Sequence, residues 1–142
     1  MTFKAKQKGN TFEHDVVEIL NSKLSNGNFR RIPGSGAIGT SMEEPLLTGD
    51  VSGKIDGTTL KFKIECKVGY NTSTDKEVKQ FTMKKLWIDK IITEAKNALA
   101  IPLLIGKFSG SRKGVKEFVV LDIETFCALV NEISRLQKEL NK

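Results

Sequence analysis

The chain has 142 residues, 39% of them hydrophobic, which is long enough for one compact domain and too short for two comfortable ones. We therefore expect a single domain over residues 1–142. No apolar run approaches the roughly 20 residues that a membrane span needs, and the N-terminal stretch lacks the apolar core of a secretory signal, so we expect a soluble, intracellular protein without a membrane partner.

Charge and cysteine content narrow the class of protein further. The 23 lysines and arginines outnumber the 17 acids, and the isoelectric point is near 9.3. An excess of this sign favours a polyanionic partner such as nucleic acid. The two cysteines, Cys66 and Cys127, form no CxxC and accompany a single histidine, His14, so a structural zinc site is not expected. Both cysteines are predicted to be small buried apolar residues.

The N-terminal third predicts one helix and one strand. After a basic leader over residues 1–8, apolar residues recur at helical spacing over residues 10–24, with Asn10 or Thr11 available as the N-cap. A short strand over residues 29–32 follows and runs into a turn rich in glycine.

The central segment predicts a hairpin between two loops. Residues 34–49 are rich in glycine and small polar residues and show no period, which indicates a long loop. Strands are predicted over residues 50–55 and 59–68, joined at Asp56-Gly57, a dipeptide that favours a tight turn. Residues 70–79 form a second polar loop.

The C-terminal half predicts a helix over residues 81–99, strands over residues 100–108 and 115–121, and a last helix capped by Asp122. The last helix repeats apolar residues at steps of three and four: Phe126, Leu129, Ile133, Leu136 and Leu140. We expect it to pack on the domain's own sheet, with a dimer contact as the alternative. The element order indicates an α/β fold with a mixed central β-sheet flanked by helices and an extra C-terminal helix.

The stretch from Leu60 to Gly69, LKFKIECKVG, carries the most informative pattern. Successive side chains of a strand point to opposite faces. One face holds Leu60, Phe62, Ile64 and Cys66, and the other holds Lys61, Lys63, Glu65 and Lys67. The first face predicts a core contact, whereas the second gathers one carboxylate among three lysines.

The acids near this strand suggest a metal site. Asp50 lies across the predicted hairpin from Glu65 and Lys67. Two acids on neighbouring strands can hold a hard cation such as Mg²⁺, which prefers oxygen ligands and keeps several of its waters. Such a metal polarises a phosphate and helps to generate hydroxide, while Lys67 is placed to orient the water or to stabilise developing negative charge. No GxSxG, P-loop or HExxH motif offers competing chemistry.

Residues with a predicted role in contacting phosphate are spread along the chain. Gln80 either positions a phosphate or water or caps the following helix. The basic candidates are Lys8, Arg30, Lys61, Lys63, Arg112 and Lys113.

Asp50 followed by Glu65-Cys66-Lys67 resembles the catalytic motif of the PD-(D/E)XK nuclease superfamily. More narrowly, residues 8–13 (KGNTFE) look like the KGxxxE opening helix of archaeal-type and phage Holliday junction resolvases. Residues 31–35 (RIPGS) are similar to their R-S-x-G-S segment, and residues 64–68 (IECKV) to their I-E-V-K-V strand. The resemblance covers residues 8–121 and leaves the last helix outside.

The resemblance implies a restriction-endonuclease-like fold and a set of site residues. The implied catalytic residues are Glu13, Ser35, Asp50, Glu65 and Lys67, with Arg31 as a DNA contact. The implied ligands of Mg²⁺ are Asp50, Glu65, the backbone carbonyl of Cys66 and, through a water, Glu13; we expect Mn²⁺ to substitute. From the residues alone, Glu13 is equally an acid favoured by the helix dipole, and Ser35 equally a turn former.

The resemblance further implies a Mg²⁺-dependent endonuclease that resolves four-way DNA junctions by symmetric nicks. The two-fold symmetry of such a substrate predicts a homodimer with two active sites. The lack of a membrane span or secretory signal predicts a location in the cytoplasm, which is that of the host if the gene is from a phage. Two alternatives stay open. One is a nicking, flap or restriction-type nuclease with the same chemistry, and the other is a basic DNA-binding module without catalysis.

Overall fold

The computed structural model describes residues 3–32, 50–69 and 78–142, and for residues 3–10 it describes the backbone alone. Its helices are α1 (Phe3–Lys23), α2 (Lys85–Asn97) and α3 (Ile123–Leu140). Its strands are β1 (Gly27–Arg31), β2 (Val51–Ile55), β3 (Lys61–Gly69), β4 (Ile101–Phe108) and β5 (Glu117–Val120). None of the described helices is both long enough and apolar enough to cross a bilayer.

The strands form one mixed sheet in the order β1-β2-β3-β4-β5. β3 and β4 run parallel because α2 carries the chain back between them, and the other neighbouring pairs are antiparallel. The predicted hairpin joins β2 to β3, and Gly57 adopts a φ of 85° in its turn. The predicted α/β fold with a mixed sheet and flanking helices is confirmed, and each strand begins and ends within two residues of its predicted bounds.

The main core lies between α1 and one face of the sheet. Phe12 and Val16 of α1 pack in one buried cluster with the apolar face of β3, including Ile64 and Cys66. That assignment of Ile64 and Cys66 was predicted and is confirmed. On the opposite face, α2 buries Ile91 and Ala95.

Two predicted helix starts are wrong. α1 begins at Phe3 rather than residue 10, so residues 3–8 of the basic leader are helical and Asn10 lies inside the helix instead of capping it. Alanine, lysine and glutamine in this segment are good helix formers, which explains the extension. α2 begins at Lys85 rather than residue 81, after an extended segment.

The C-terminal helix also differs from expectation. None of its residues is buried, and its apolar stripe is exposed to solvent, so the prediction that it packs on the domain's own sheet is wrong. Cys127, which lies on this helix, is exposed, contrary to its predicted burial. The cap is as predicted: the side chain of Asp122 accepts a hydrogen bond from the N–H of Thr125.

Candidate active site

The β2–β3 hairpin fixes the carboxylate of Asp50 beside the middle of β3. The register pairs Val51 with Ile64, and the N–H of Asp50 donates a 2.9 Å hydrogen bond to the carbonyl of Ile64. The N–H of Cys66 then donates a 2.9 Å hydrogen bond to Oδ2 of Asp50. Asp50 is therefore held by backbone on the strand that carries Glu65 and Lys67.

Glu65 is a buried carboxylate between two lysines. It is 3% exposed, and its Oε1 lies 3.2 Å from Nζ of Lys67. Its Oε2 is buried without a hydrogen-bond partner among the described residues. A buried carboxylate oxygen left in this state is costly in an apolar setting, so the site favours a further positive ligand at Oε2.

The electrostatics of Asp50 are unusual for an aspartate. Burial and, to a smaller extent, the negative charge of Glu65 together raise the pKa of Asp50 from 3.8 to about 7, against the hydrogen bond from Cys66, which lowers it. Glu13 adds to this effect and Lys67 opposes it. Burial likewise raises the pKa of the Cys66 thiol, so this cysteine stays a neutral core residue.

Glu13 reaches the site from α1 and is oriented by Arg31. Nε of Arg31 donates a 2.9 Å hydrogen bond to Oε2 of Glu13, and another guanidinium nitrogen of Arg31 lies 3.1 Å from Nε2 of His14. Arg31 therefore holds an acid near Asp50, a contact that the sequence did not predict.

Two residues of α2 join the site, and sequence reasoning gave neither of them this role. Nζ of Lys90 lies 3.7 Å from Oε2 of Glu65 and 3.9 Å from Oε1 of Glu94. The indole ring of Trp87 lies under Lys67, with Nζ 4.8 Å from the ring centroid, a cation–π contact. The available signal was helical spacing, which places Trp87 and Lys90 on one side of a helix.

The donor set fits a hard divalent cation. Among the described residues no group of three or more His, Cys, Asp or Glu side chains forms a ready-made metal cage. Mg²⁺, however, is commonly held by one or two carboxylates together with waters and substrate phosphate. The carboxylates of Asp50 and Glu65 match that requirement. Oε2 of Glu65 has no hydrogen-bond partner among the described residues, and the pKa of Asp50 is raised.

The other predicted site residues lie apart from this cluster or outside the described residues. The prediction that Lys63 contacts phosphate at the surface is wrong, because its side chain is 1% exposed on the sheet face that α2 flanks. Ser35, the loop 34–49 and residues 70–77 lie outside the described residues, as does the side chain of Lys8 in α1. The remaining predicted contacts are exposed on β1, on β3, before α2 and in the β4–β5 turn: Arg30, Lys61, Gln80, Arg112 and Lys113.

Comparison with known proteins adds a family and a fold. The family described as "Phage putative PDDEXK endonuclease" matches residues 4–141. A solved structure of a Holliday junction resolvase from the archaeal hyperthermophile Archaeoglobus fulgidus is similar, with a TM-score of 0.50 and 16% identity, over 83% of this chain and 98% of that one. At 16% identity, this similarity is evidence for the fold alone. No curated protein matches the chain.

Proposed function

The chain belongs to the phage PDDEXK endonuclease family, and from that premise we propose a metal-dependent endonuclease that hydrolyses DNA phosphodiesters, most specifically a resolvase of four-way junctions. One observation carries the proposal: the hairpin sets the half-buried carboxylate of Asp50 and the buried carboxylate of Glu65 beside Lys67. We take residues 1–142 to be one nuclease domain.

The proposed metal is Mg²⁺, with Mn²⁺ as a substitute. Asp50, Glu65 and the backbone carbonyl of Cys66 would hold it, and Glu13 would act through a water. When bound, it supplies Lewis acidity to the scissile phosphate and lowers the pKa of a bound water. Asp50 would have to be ionised to hold the metal, so metal binding would be coupled to the loss of its proton.

The chain's own residues have separate tasks in this proposal. Lys67, 3.2 Å from Glu65, orients the attacking water or stabilises the negative charge that develops on the phosphate. Glu13 is kept in place by its 2.9 Å ion pair with Arg31. Ser35 stays a proposed catalytic-loop residue through the family resemblance.

DNA is the proposed partner, recognised through phosphate contacts and shape rather than base readout. We propose that the following residues contribute contacts to phosphate: Lys8, Arg30, Arg31, Lys61, Gln80, Arg112 and Lys113. The net charge of +6 favours such binding and makes it dependent on salt. The proposed location is the cytoplasm, which is that of the host if the gene belongs to a phage.

Resolution of a four-way junction needs two symmetric cuts, so we propose a homodimer with two active sites. The exposed apolar stripe of α3 supports a second copy as its partner. It includes Ile123, Phe126, Val130, Ile133, Leu136 and Leu140. An apolar stripe of this length, exposed on a soluble chain, favours association over solvation.

The test offers the protein four labelled DNA substrates with Mg²⁺: a four-way junction, a flap, a linear duplex and a single strand. Paired symmetric nicks on the junction alone are the expected result. Equal cutting of plain duplex would overturn the resolvase proposal and leave a nuclease of another specificity.

The matched variant is Glu65→Gln, which keeps size and removes the charge. We expect it to lose more than 99% of the cutting rate and to bind the junction about as tightly as the parent. A parent protein that binds DNA without any Mg²⁺-dependent or Mn²⁺-dependent cutting would instead indicate a binding module.

A further inference from the structure

An open apolar groove of about 390 Å³ lies between α1 and β5, the last strand of the sheet. Its apolar lining comes from three elements: Val16, Ile19 and Leu20 of α1, Ile105 of β4 and Val119 of β5. Val119 is 55% exposed although it pairs with Ile105, which belongs to the buried core cluster. The core layer between α1 and the sheet therefore ends at β4 and leaves this face of β5 uncovered.

The helix α3 offers a surface that fits such a groove. It buries none of its residues, and the six members of its apolar stripe are 45–83% exposed. In proteins a helix gains most of its stability by packing an apolar face on a neighbour. All of the described residues that line the groove belong to α1, β4 and β5, so α3 of the same copy does not fill it.

The charges beside the groove and beside the stripe match. Lys23 borders the groove on α1 and Glu117 borders it on β5, and both are exposed. Helical periodicity places Glu132 and Glu139 along one edge of the stripe and Lys138 along the other. Both glutamates have exposed ion-pair partners within α3 that solvent screens, so they stay able to face a lysine. A helix seated with its acidic edge on α1 would thus meet opposite charge on both sides.

The apolar area is large enough for a stable pair of copies. Burying a large apolar side chain removes on the order of 100 Å² from water. Covering the stripe and the groove beneath it, twice over in a symmetric pair, therefore buries on the order of 1,000 Å². Specific interfaces begin at about this size.

We propose that two copies exchange their C-terminal helices, so that α3 of each copy lies in the groove between α1 and β5 of the other. Each copy gives one helix and accepts one, which closes the assembly with a two-fold axis. The inference rests on the proposed function, since it takes the homodimer proposed there and specifies what α3 packs against.

The first experiment places a charge in the groove and measures sedimentation. Val119→Glu should be monomeric, because the charge would be buried under the helix of the other copy. Val115→Glu is the matched control: this valine is 64% exposed, lies in the β4–β5 turn outside the groove, and its variant should stay dimeric. A dimeric Val119→Glu would indicate that α3 packs on α3 and would overturn the exchange. A monomeric parent would overturn it as well.

Mixing two defective variants tests the exchange directly. Ile133→Glu has a damaged helix and an intact groove, whereas Val119→Glu has an intact helix and a damaged groove. Each should be monomeric alone, and an equimolar mixture should form a dimer held by one intact contact, with weaker affinity than the parent. A mixture that stays monomeric up to high micromolar concentration would overturn the exchange.

Charge reversal gives a test that leaves the apolar lining unchanged. Glu117→Lys should weaken dimerisation at least threefold at low salt, and adding Lys138→Glu should restore it. A double variant as weak as Glu117→Lys would overturn this seating of the helix. Cutting is scored separately: a dimer with this behaviour that does not cut DNA would contradict the proposed nuclease and support the exchange, and a monomeric parent that cuts would do the reverse.

Discussion

Nζ of Lys90 lies 3.7 Å from Oε2 of Glu65, the carboxylate oxygen that has no hydrogen-bond partner among the described residues. The lysine side chain is 44% exposed and the glutamate is buried, so only the lysine is free to move. A cation on α2 thus compensates the charge of a carboxylate on β3, beside the place proposed for a divalent metal. Metal and ammonium would compete for the same oxygen.

Replacing Lys90 with methionine should therefore make metal binding easier. We expect the Mg²⁺ concentration for half-maximal cutting to fall about three- to tenfold, since removing one like charge in a partly solvated site is worth on the order of 1 kcal/mol. A Mg²⁺ titration of the cutting rate measures this. Lys85→Met, which removes an exposed lysine of the same helix paired with Asp89, is the control and should leave the midpoint unchanged. A rise of the midpoint in Lys90→Met would contradict the competition.

Trp87 should act as a positioning residue for Lys67. The ammonium of Lys67 lies 4.8 Å from the centroid of its ring, and a cation–π contact of this kind is worth about 0.5–2 kcal/mol. We expect Trp87→Leu to slow cutting at saturating DNA about tenfold while junction affinity is unchanged. Trp87→Phe, which keeps an aromatic face, should recover most of the rate. Equal rates for Trp87→Leu and the parent would show that the ring does not position Lys67.

The parts of the site that were predictable from sequence are those set by local geometry. Strand alternation and the Asp56-Gly57 turn place Asp50, Glu65 and Lys67 together, because hairpin register follows from the turn. Lys90 and Trp87 reach the site only through the packing of α2 on the sheet. Packing of this kind depends on contacts between residues distant in sequence, which no local period reveals.

The error at Lys63 has the same origin. Alternation correctly puts Lys63 on the face of Lys61 and Glu65, but it does not say which part of that face is covered. The structure buries Lys63 to 1% exposure and leaves Lys61 exposed. The C-terminal helix α3 is the opposite case. Its apolar period predicted a face packed on the domain's own sheet, but the structure leaves that face exposed. The period alone did not say what the face packs against.

The raised pKa of Asp50 should make the metal-free protein less stable as pH rises. Between about pH 4 and pH 7 the unfolded chain releases this proton and the folded chain keeps it, so the free energy of unfolding falls across that window. Asp50→Asn keeps an acceptor for the N–H of Cys66 and removes the titration. We expect it to match the parent near pH 4 and to be more stable by on the order of 3 kcal/mol at pH 8.

Urea unfolding in EDTA from pH 4 to pH 8 measures this difference. Asp56→Asn, on the exposed hairpin turn, is the control and should show no such trend. A difference in the free energy of unfolding between Asp50→Asn and the parent that does not change with pH would contradict a raised pKa of Asp50. Saturating Mg²⁺ should reduce the difference in stability between the two proteins, because the metal stabilises the ionised carboxylate of the parent.

Gly53 should be needed for the packing of β1 on β2. It is paired with Phe29, and a Cβ at this position would overlap the phenyl ring. Because Phe29 belongs to the buried cluster under α1, the ring has little room to move. We expect Gly53→Ala to lower the free energy of unfolding by about 1–3 kcal/mol in urea titrations. Thr59→Ala, at an exposed position before β3, should change it by less than about 0.5 kcal/mol. Equal stability of the two variants would contradict the proposed overlap.

The apolar stripe of α3 should hold two copies together. Ile133 and Leu136 are 56% and 48% exposed, so placing a charge there costs the monomer little. In a dimer the same charge would be buried without a partner, which is strongly unfavourable. We therefore expect the parent to sediment at twice the 15.8 kDa of one chain, and Ile133→Glu to sediment as a monomer.

Asn131→Glu adds the same charge to the same helix at an exposed position outside the stripe and should stay dimeric. Paired nicking gives a second readout. With dimerisation lost, Ile133→Glu should cut the two junction strands in independent events, which leaves singly nicked junctions as the main product. A parent that sediments at 15.8 kDa up to high micromolar concentration would contradict this role of α3.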